Sequence, residues 1–223
     1  HTTGMRNLEL IKWCTYYGIN NLYNILVRFP GETVEDYQLH CELIPKIHHW
    51  QPPWAVARAR ADRGSPMFTE PETQSITRLR PAPCYDFLFP KDRFDLQRVS
   101  YYFEHDMADA LPDEGHDDLF RSVAIWQQRW QERPRPYLRY RKSLSTIRIE
   151  DGRNGRPRVH TCSDEPAALY EFCADARTRK EIDARFDGAT WTEEALGDFL
   201  ERNLMVHLDG RYLSLALPEN TYF

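Results

Sequence analysis

No apolar stretch in the 223 residues approaches the ~18 that a membrane-spanning helix needs, so no transmembrane helix is predicted. Mean hydropathy is −0.68, in keeping with that reading. A basic, apolar, small-residue opening segment is lacking too, so no signal peptide is expected. Positive charge is not in excess. Lys and Arg number 29 against 34 Asp and Glu, a net charge of −5, which argues against a dedicated nucleic-acid binder whose affinity rests on phosphate neutralisation. Cysteine is sparse: Cys14, Cys41, Cys84, Cys162 and Cys173 are odd in number, and no two lie within four positions of each other. That spacing excludes Cys-x-x-Cys zinc ribbons, thioredoxin motifs and compact iron–sulfur ligation within this chain, and no metal ligand set is expected. A reduced, cytoplasmic setting is the simplest compartment such thiols imply.

What is present alternates between helix and strand patterns at the front of the chain. From Asn7 to Tyr17, apolar residues recur at three- and four-residue spacing, predicting a helix that Gly18 stops. Leu22 to Val27 is an apolar run broken only by Asn24, which suits a strand covered on both faces. Phe29-Pro30-Gly31-Glu32 ends it, and Thr33 caps a helix predicted to run to about His49, where Pro52-Pro53 follows. Trp54 to Ala57 reads as a second strand. This strand–helix–strand order belongs to an α/β barrel or open sheet. A closed eightfold barrel takes ~250 residues, so only a part of one fits.

The middle reads as helical and aromatic. Seven acidic residues and no Lys or Arg fall between Glu104 and Asp118, and ten basic residues fall between Arg129 and Arg158. The acid run reads as a solvated face rather than a metal site, and the basic stretch as a linker, with steering of an acidic peptide as the alternative. The tail is clearer. A hairpin is predicted around Asp151 to Gly155, and a first helix over Pro166 to Ala174. Thr178-x-x-Glu181 and Thr190-x-x-Glu193 are capping boxes opening two more helices, and a hairpin turns at Asp209-Gly210. Three helices and strands in that order predict a winged helix. Its third helix carries Glu193, Glu194, Asp198 and Glu201 against Arg202, a pattern that opposes phosphate binding.

The run Asn24-Ile25-Leu26-Val27-Arg28-Phe29-Pro30-Gly31-Glu32-Thr33 resembles strand five and the following loop of radical S-adenosylmethionine (SAM) enzymes with a cobalamin domain. There the usual text is Asn-Leu-Leu-x-Gly-Phe/Leu-Pro-Gly-Glu-Thr, so Arg28 replaces a glycine. Leu10 to Cys14, Leu43-Ile44-Pro45, Gln51-Pro52-Pro53, Asp62 to Phe68, Tyr101-Tyr102-Phe103 and Leu213 to Pro218 are similar to the subfamily called ribosomal-peptide maturation radical SAM protein 1. The resemblance implies a chain cut in mid-barrel, in keeping with an N-terminal residue, His1, that is not Met.

Three regions follow: 1–68 as the C-terminal part of the barrel, 69–136 as a helical, aromatic-rich connector, and 137–223 as a winged-helix-like domain, for which leader-peptide binding and a structural cap on the barrel are the two readings. The implied activity is radical hydrogen abstraction from a ribosomally made precursor peptide, with C-methylation as one outcome. The implied cofactors are SAM, a four-iron four-sulfur cluster and cobalamin, in a complete enzyme whose cluster-binding cysteine loop this chain lacks. Phe29, Pro30, Gly31, Glu32, Ala57 and Arg58 are the expected SAM contacts at the barrel mouth. A plain Pro-Gly turn before a helix is the alternative there. Arg60, Asp62 and Arg63 are expected to meet the peptide, the alternative being solvated loop charge. Val159 and His160 on a sheet edge, with Phe199 and Leu200 as a groove wall, are expected to take the leader as an added strand. No membrane or nucleic-acid partner is expected. Two other readings stand: a non-catalytic peptide-binding remnant, and a winged-helix DNA-binding regulator.

Overall fold

A computed structural model describes residues 2–219. Along the chain run α1 (Gly4–Tyr16), β1 (Asn24–Val27), α2 (Val34–Leu43), β2 (Ala55–Arg58), β3 (Ala61–Asp62), α3 (Pro66–Thr69), β4 (Ile76–Pro81), α4 (Cys84–Leu88), α5 (Leu96–Val99), β5 (Tyr102–Met107) and α6 (Asp117–Gln131). Then come β6 (Leu138–Ser143), β7 (Thr146–Asp151), β8 (Arg158–Ser163), α7 (Asp164–Phe172), β9 (Arg177–Thr178), α8 (Arg179–Arg185), α9 (Trp191–Glu201), β10 (Met205–Leu208), β11 (Arg211–Ser214) and β12 (Leu217–Pro218). The protein is mixed α/β. Among the described residues, no helix is long and apolar enough to cross a membrane.

The chain divides into two compact units, each built from separated stretches. The first takes residues 1–22, 42–52 and 122–223; the second takes 23–41 and 53–121. The continuous regions expected from sequence, with limits at 68 and 136, therefore do not coincide with them.

In the first unit, β6, β7 and β8 form an antiparallel meander, and β12 adds to β6 in parallel. Ile147 and Ile149 of the central strand are fully buried, as are Leu169 and Tyr170 of α7 and Ile182 of α8. Burying such side chains contributes roughly 1.5–3 kcal/mol each. A smaller sheet of order β10-β11-β9 completes the unit. Its hairpin turns through Asp209 and Gly210, both at positive φ, the geometry a two-residue turn needs to match strand twist. The Thr178 capping box forms as predicted. The Thr190 box does not: Thr190 already has helical φ and ψ, and Glu193 pairs with Arg179 instead. Gly152, which donates its N–H to Tyr137 O at 2.8 Å, sits so close to that ring that a Cβ would lie 2.3 Å from it.

In the second unit, β1 and β2 pair in parallel and have no further strand on either side among the described residues. The strand expected to be covered on both faces is half open: Val27 is buried, while Leu26 is 43% exposed. A second sheet of order β3-β5-β4 packs Ala59, Ala61, Met67, Ile76 and Phe103 together.

That sheet corrects the expectation of a helical middle. In β5, Phe103, His105 and Met107 turn inward while Glu104 and Asp106 face out to Arg80 of β4, so charge hid a period-two pattern. The basic linker is likewise strand β6, with Leu138 and Tyr140 buried and Arg139 and Arg141 facing out. Helix α2 stops at Leu43 rather than near His49, because Pro45 cannot continue the hydrogen-bond ladder.

Candidate functional site

Strand β8 is the edge of its sheet. Asp164 N donates to Ser145 O at 2.7 Å, one step beyond the Thr146–Ser163 pair. Hydrogen-bonded pairs alternate along an antiparallel ladder, so the N–H and C=O groups of Cys162 and His160 face β7. Those of Val159 and Thr161 face the open edge. Side chains alternate as well: His160 and Cys162 lie opposite the buried Ile149 and Ile147 and share their face, while Val159 is 52% exposed on the other.

Beside that edge lies a cleft of about 470 Å³, lined by Cys162, Glu165, Pro166, Trp191, Glu194, Ala195, Asp198, Phe199 and Arg202. Trp191, Ala195 and Phe199 recur every four residues, so α9 presents them as one stripe. Phe199 is itself anchored edge-on against Tyr170, whose hydroxyl donates to Leu204 O at 3.0 Å. Burial pushes the Cys162 thiol up to about 11, which leaves it an uncharged wall of the cleft. His160 is held below its ordinary value by burial, reinforced by Arg202, Arg153 and Arg158 against the pull of Asp151. A strand edge with two outward-facing amides beside a cleft that carries an apolar stripe can accept an extended peptide.

No family model, curated protein or solved structure matches the chain. The site must be read from its own geometry.

Phe199 lines the cleft and Leu200 does not; Trp191, Glu194 and Asp198, unassigned from sequence, line it too. The four-residue spacing from Trp191 to Phe199 suits a stripe facing a cleft and one facing a core alike.

The second unit holds the other expected contacts. At Phe29–Glu32, Gly31 takes φ +75° with open space where a Cβ would stand, and the Phe29 ring is 44% exposed. Pro30 is half-buried between them. Glu32 turns inward. Its carboxylate accepts the Arg28 N–H at 2.5 Å, the Phe29 N–H at 3.1 Å and the Tyr37 hydroxyl, and it pairs with His116 Nε2 at 3.0 Å. Burial alone would raise its pKa, yet hydrogen bonds from Tyr37, His116 and the two amides hold it below the usual carboxylate value. It closes the loop rather than offering itself to a ligand.

Arg28 sits at φ +62°, and its guanidinium meets Asp113, which also accepts from Arg58 at 3.0 Å. Ala57 is half-buried in the ladder opposite Leu26. Arg60 lies 4.4 Å from the Tyr102 ring centre and 3.6 Å from Asp62. Arg63 spends its donors on the Ser100 and Gln97 carbonyls beside Phe68 and Phe103, a structural post.

The donor set does not fit an iron–sulfur cluster. The cysteines lie on α1, α2, α4 and β8 and at the end of α7, and among the described residues no three His, Cys, Asp or Glu side chains converge to hold a metal ion. Phe29 is exposed and Gly31 has open space beside it, whereas both carboxylate oxygens of Glu32 are already engaged.

Proposed function

We propose that this chain is the peptide-recognising, C-terminal portion of a radical SAM enzyme that modifies a ribosomally made precursor peptide. In this reading the leader adds as a strand along β8 and seats a side chain in the cleft against α9. The observation that carries it is the open β8 edge, with the Val159 and Thr161 amides directed outward beside the Trp191–Phe199 stripe. Main-chain hydrogen bonds along the edge supply affinity and the cleft supplies specificity.

The finer fold assignments belong to the same proposal. The β6–β8 meander, helices α7 to α9 and the β10–β11 hairpin make a winged-helix-like module. The β1–β2 parallel pair is the remaining piece of a barrel wall. Parallel strands normally lie in sheets covered on both faces, and a two-stranded sheet is marginal by itself. The left-handed Arg28 supports the resemblance independently: the family text has glycine there, and the backbone holds the conformation glycine adopts without strain. Phe29 and Gly31 would hold the adenine of SAM, whose cleavage supplies the radical when a cluster is bound. No step through the cluster or cobalamin is assigned to this chain's own residues.

Amide hydrogen exchange tests the peptide half. Short random peptides are selected on the full chain, and exchange is compared with and without the best binder. Slowed exchange at Val159 and Thr161 is expected; unchanged exchange there overturns strand addition. The enzymatic half is tested in the DNA upstream of the His1 codon. An in-frame Cys-x-x-x-Cys-x-x-Cys loop supports it, and a stop codon leaves the peptide-binding remnant.

A further inference from the structure

The wall facing the open edge is charged in one sense. Glu165, Glu194 and Asp198 line the cleft against a single cation, Arg202. Arg202 is already engaged, 2.6 Å from Asp198 one helical turn away. Glu165 and Glu194 are exposed, and no ion pair joins either of them to a described residue. Two uncompensated carboxylates therefore flank the apolar stripe formed by Trp191, Ala195 and Phe199. A peptide strand brought to β8 enters that field at close range. Like charge placed opposite costs affinity, and opposite charge raises both encounter rate and selectivity.

Resting on the strand-addition reading above, we propose that the segment recognised is cationic: an extended peptide with one large apolar side chain seated over Ala195 between Trp191 and Phe199, and a lysine or arginine beside it facing Glu165 and Glu194. The same rim rejects acidic peptides and nucleic-acid phosphates. The acids act as a filter on the leader, while the β8 amides read only its backbone.

The test is a display selection of short random peptides on the full chain, run in parallel on Val159→Pro and on the Glu165→Lys/Glu194→Lys variant. Val159→Pro removes an amide that faces away from β7, so the ladder survives; far-UV circular dichroism checks that it does. Peptides enriched on the parent chain are expected to carry more Lys and Arg than the starting library. The charge-reversed variant is expected to bind the best of them about tenfold more weakly and to enrich Asp and Glu instead.

A parent pool without cationic bias, or one unchanged by charge reversal, overturns the proposal. If Val159→Pro abolishes enrichment in that case, strand addition itself survives. Equal enrichment on Val159→Pro and parent overturns both. Should Val159→Pro unfold, alternate N-methylation of the selected peptide removes the same hydrogen bonds from the other side, and full retention of binding again overturns both. Concentration-dependent protection of β8 in the peptide-free chain would mean that a second copy occupies the edge, and overturns the proposal as well.

Discussion

At one edge of the four-stranded sheet, β6 is covered: Leu217 and Pro218 pair with Arg139 and Tyr140, and Glu219 N donates to Tyr140 O at 2.7 Å. Outside that seam, Glu219 binds Arg141 at 2.6 Å and approaches Arg139. At the other edge, β8 has no strand beside it among the described residues and borders a cleft. Natural sheets blunt their free edges because an unpaired row of amides invites other chains. Here one edge is closed by the chain itself and the other is left available next to aromatic side chains. The contrast argues that the open edge is kept for use.

The largest effect on this contrast is expected where β7 turns into β8. Arg153 is buried, bonds Asp151 through both carboxylate oxygens at 2.7 and 2.9 Å, and caps the carbonyls of Lys46 and Asn203. Arg153→Ala leaves Asp151 buried without its partner and should cost about 3–5 kcal/mol by denaturant unfolding. It also moves the acid limit. Burial alone would raise the Asp151 pKa, but Arg153 holds it below the ordinary carboxylate value. Its contribution is therefore complete above about pH 4 and lost as pH falls through the lowered value. Arg153→Ala removes most of that lowering, so the variant should lose less further stability on acidification than the parent chain does.

Next in size is Gly152→Ala, whose added methyl meets the Tyr137 ring. Overpacking of that kind costs about 1–3 kcal/mol, read as a lower thermal midpoint. Val159→Pro should shift stability by less than about 1 kcal/mol, since the lost amide points outward, yet abolish peptide uptake. A large destabilisation would mean that β8 is not a free edge. Glu219→Gln is expected to change least: its ion pairs are solvent-exposed, and the backbone seam onto β6 remains. An unchanged midpoint checks this.

Elements with dense or regularly spaced apolar residues were legible in the sequence: α1, β1, β2, α7 and α9, together with the Thr178 cap and the Asp209-Gly210 turn. Strands β4, β5 and β6 were not, because Arg80, Glu104, Asp106, Arg139 and Arg141 crowd their outward faces and make half-buried strands look like charged linkers. Phe199 and the β8 edge were readable as a groove. Trp191 was not, since a helix stripe facing a cleft carries the same spacing as one facing a core. The inward turn of Glu32 depends on His116, far along the chain and set within an acidic run that looked merely solvated.

The first unit is also stitched from the two ends of the described chain. Met5 N bonds the Asp209 carboxylate, and the buried Lys12 ammonium spans the carbonyls of Ala174 and Ser214 at 2.6 and 2.8 Å. Such remote closures must wait for both ends to exist. During synthesis, α1 emerges from the ribosome long before Ser214 and stays unclosed until Ser214 has been made. A nascent chain paused before Ser214 should thus be open to proteases, with α1 as a waiting, sticky helix that chaperones would hold.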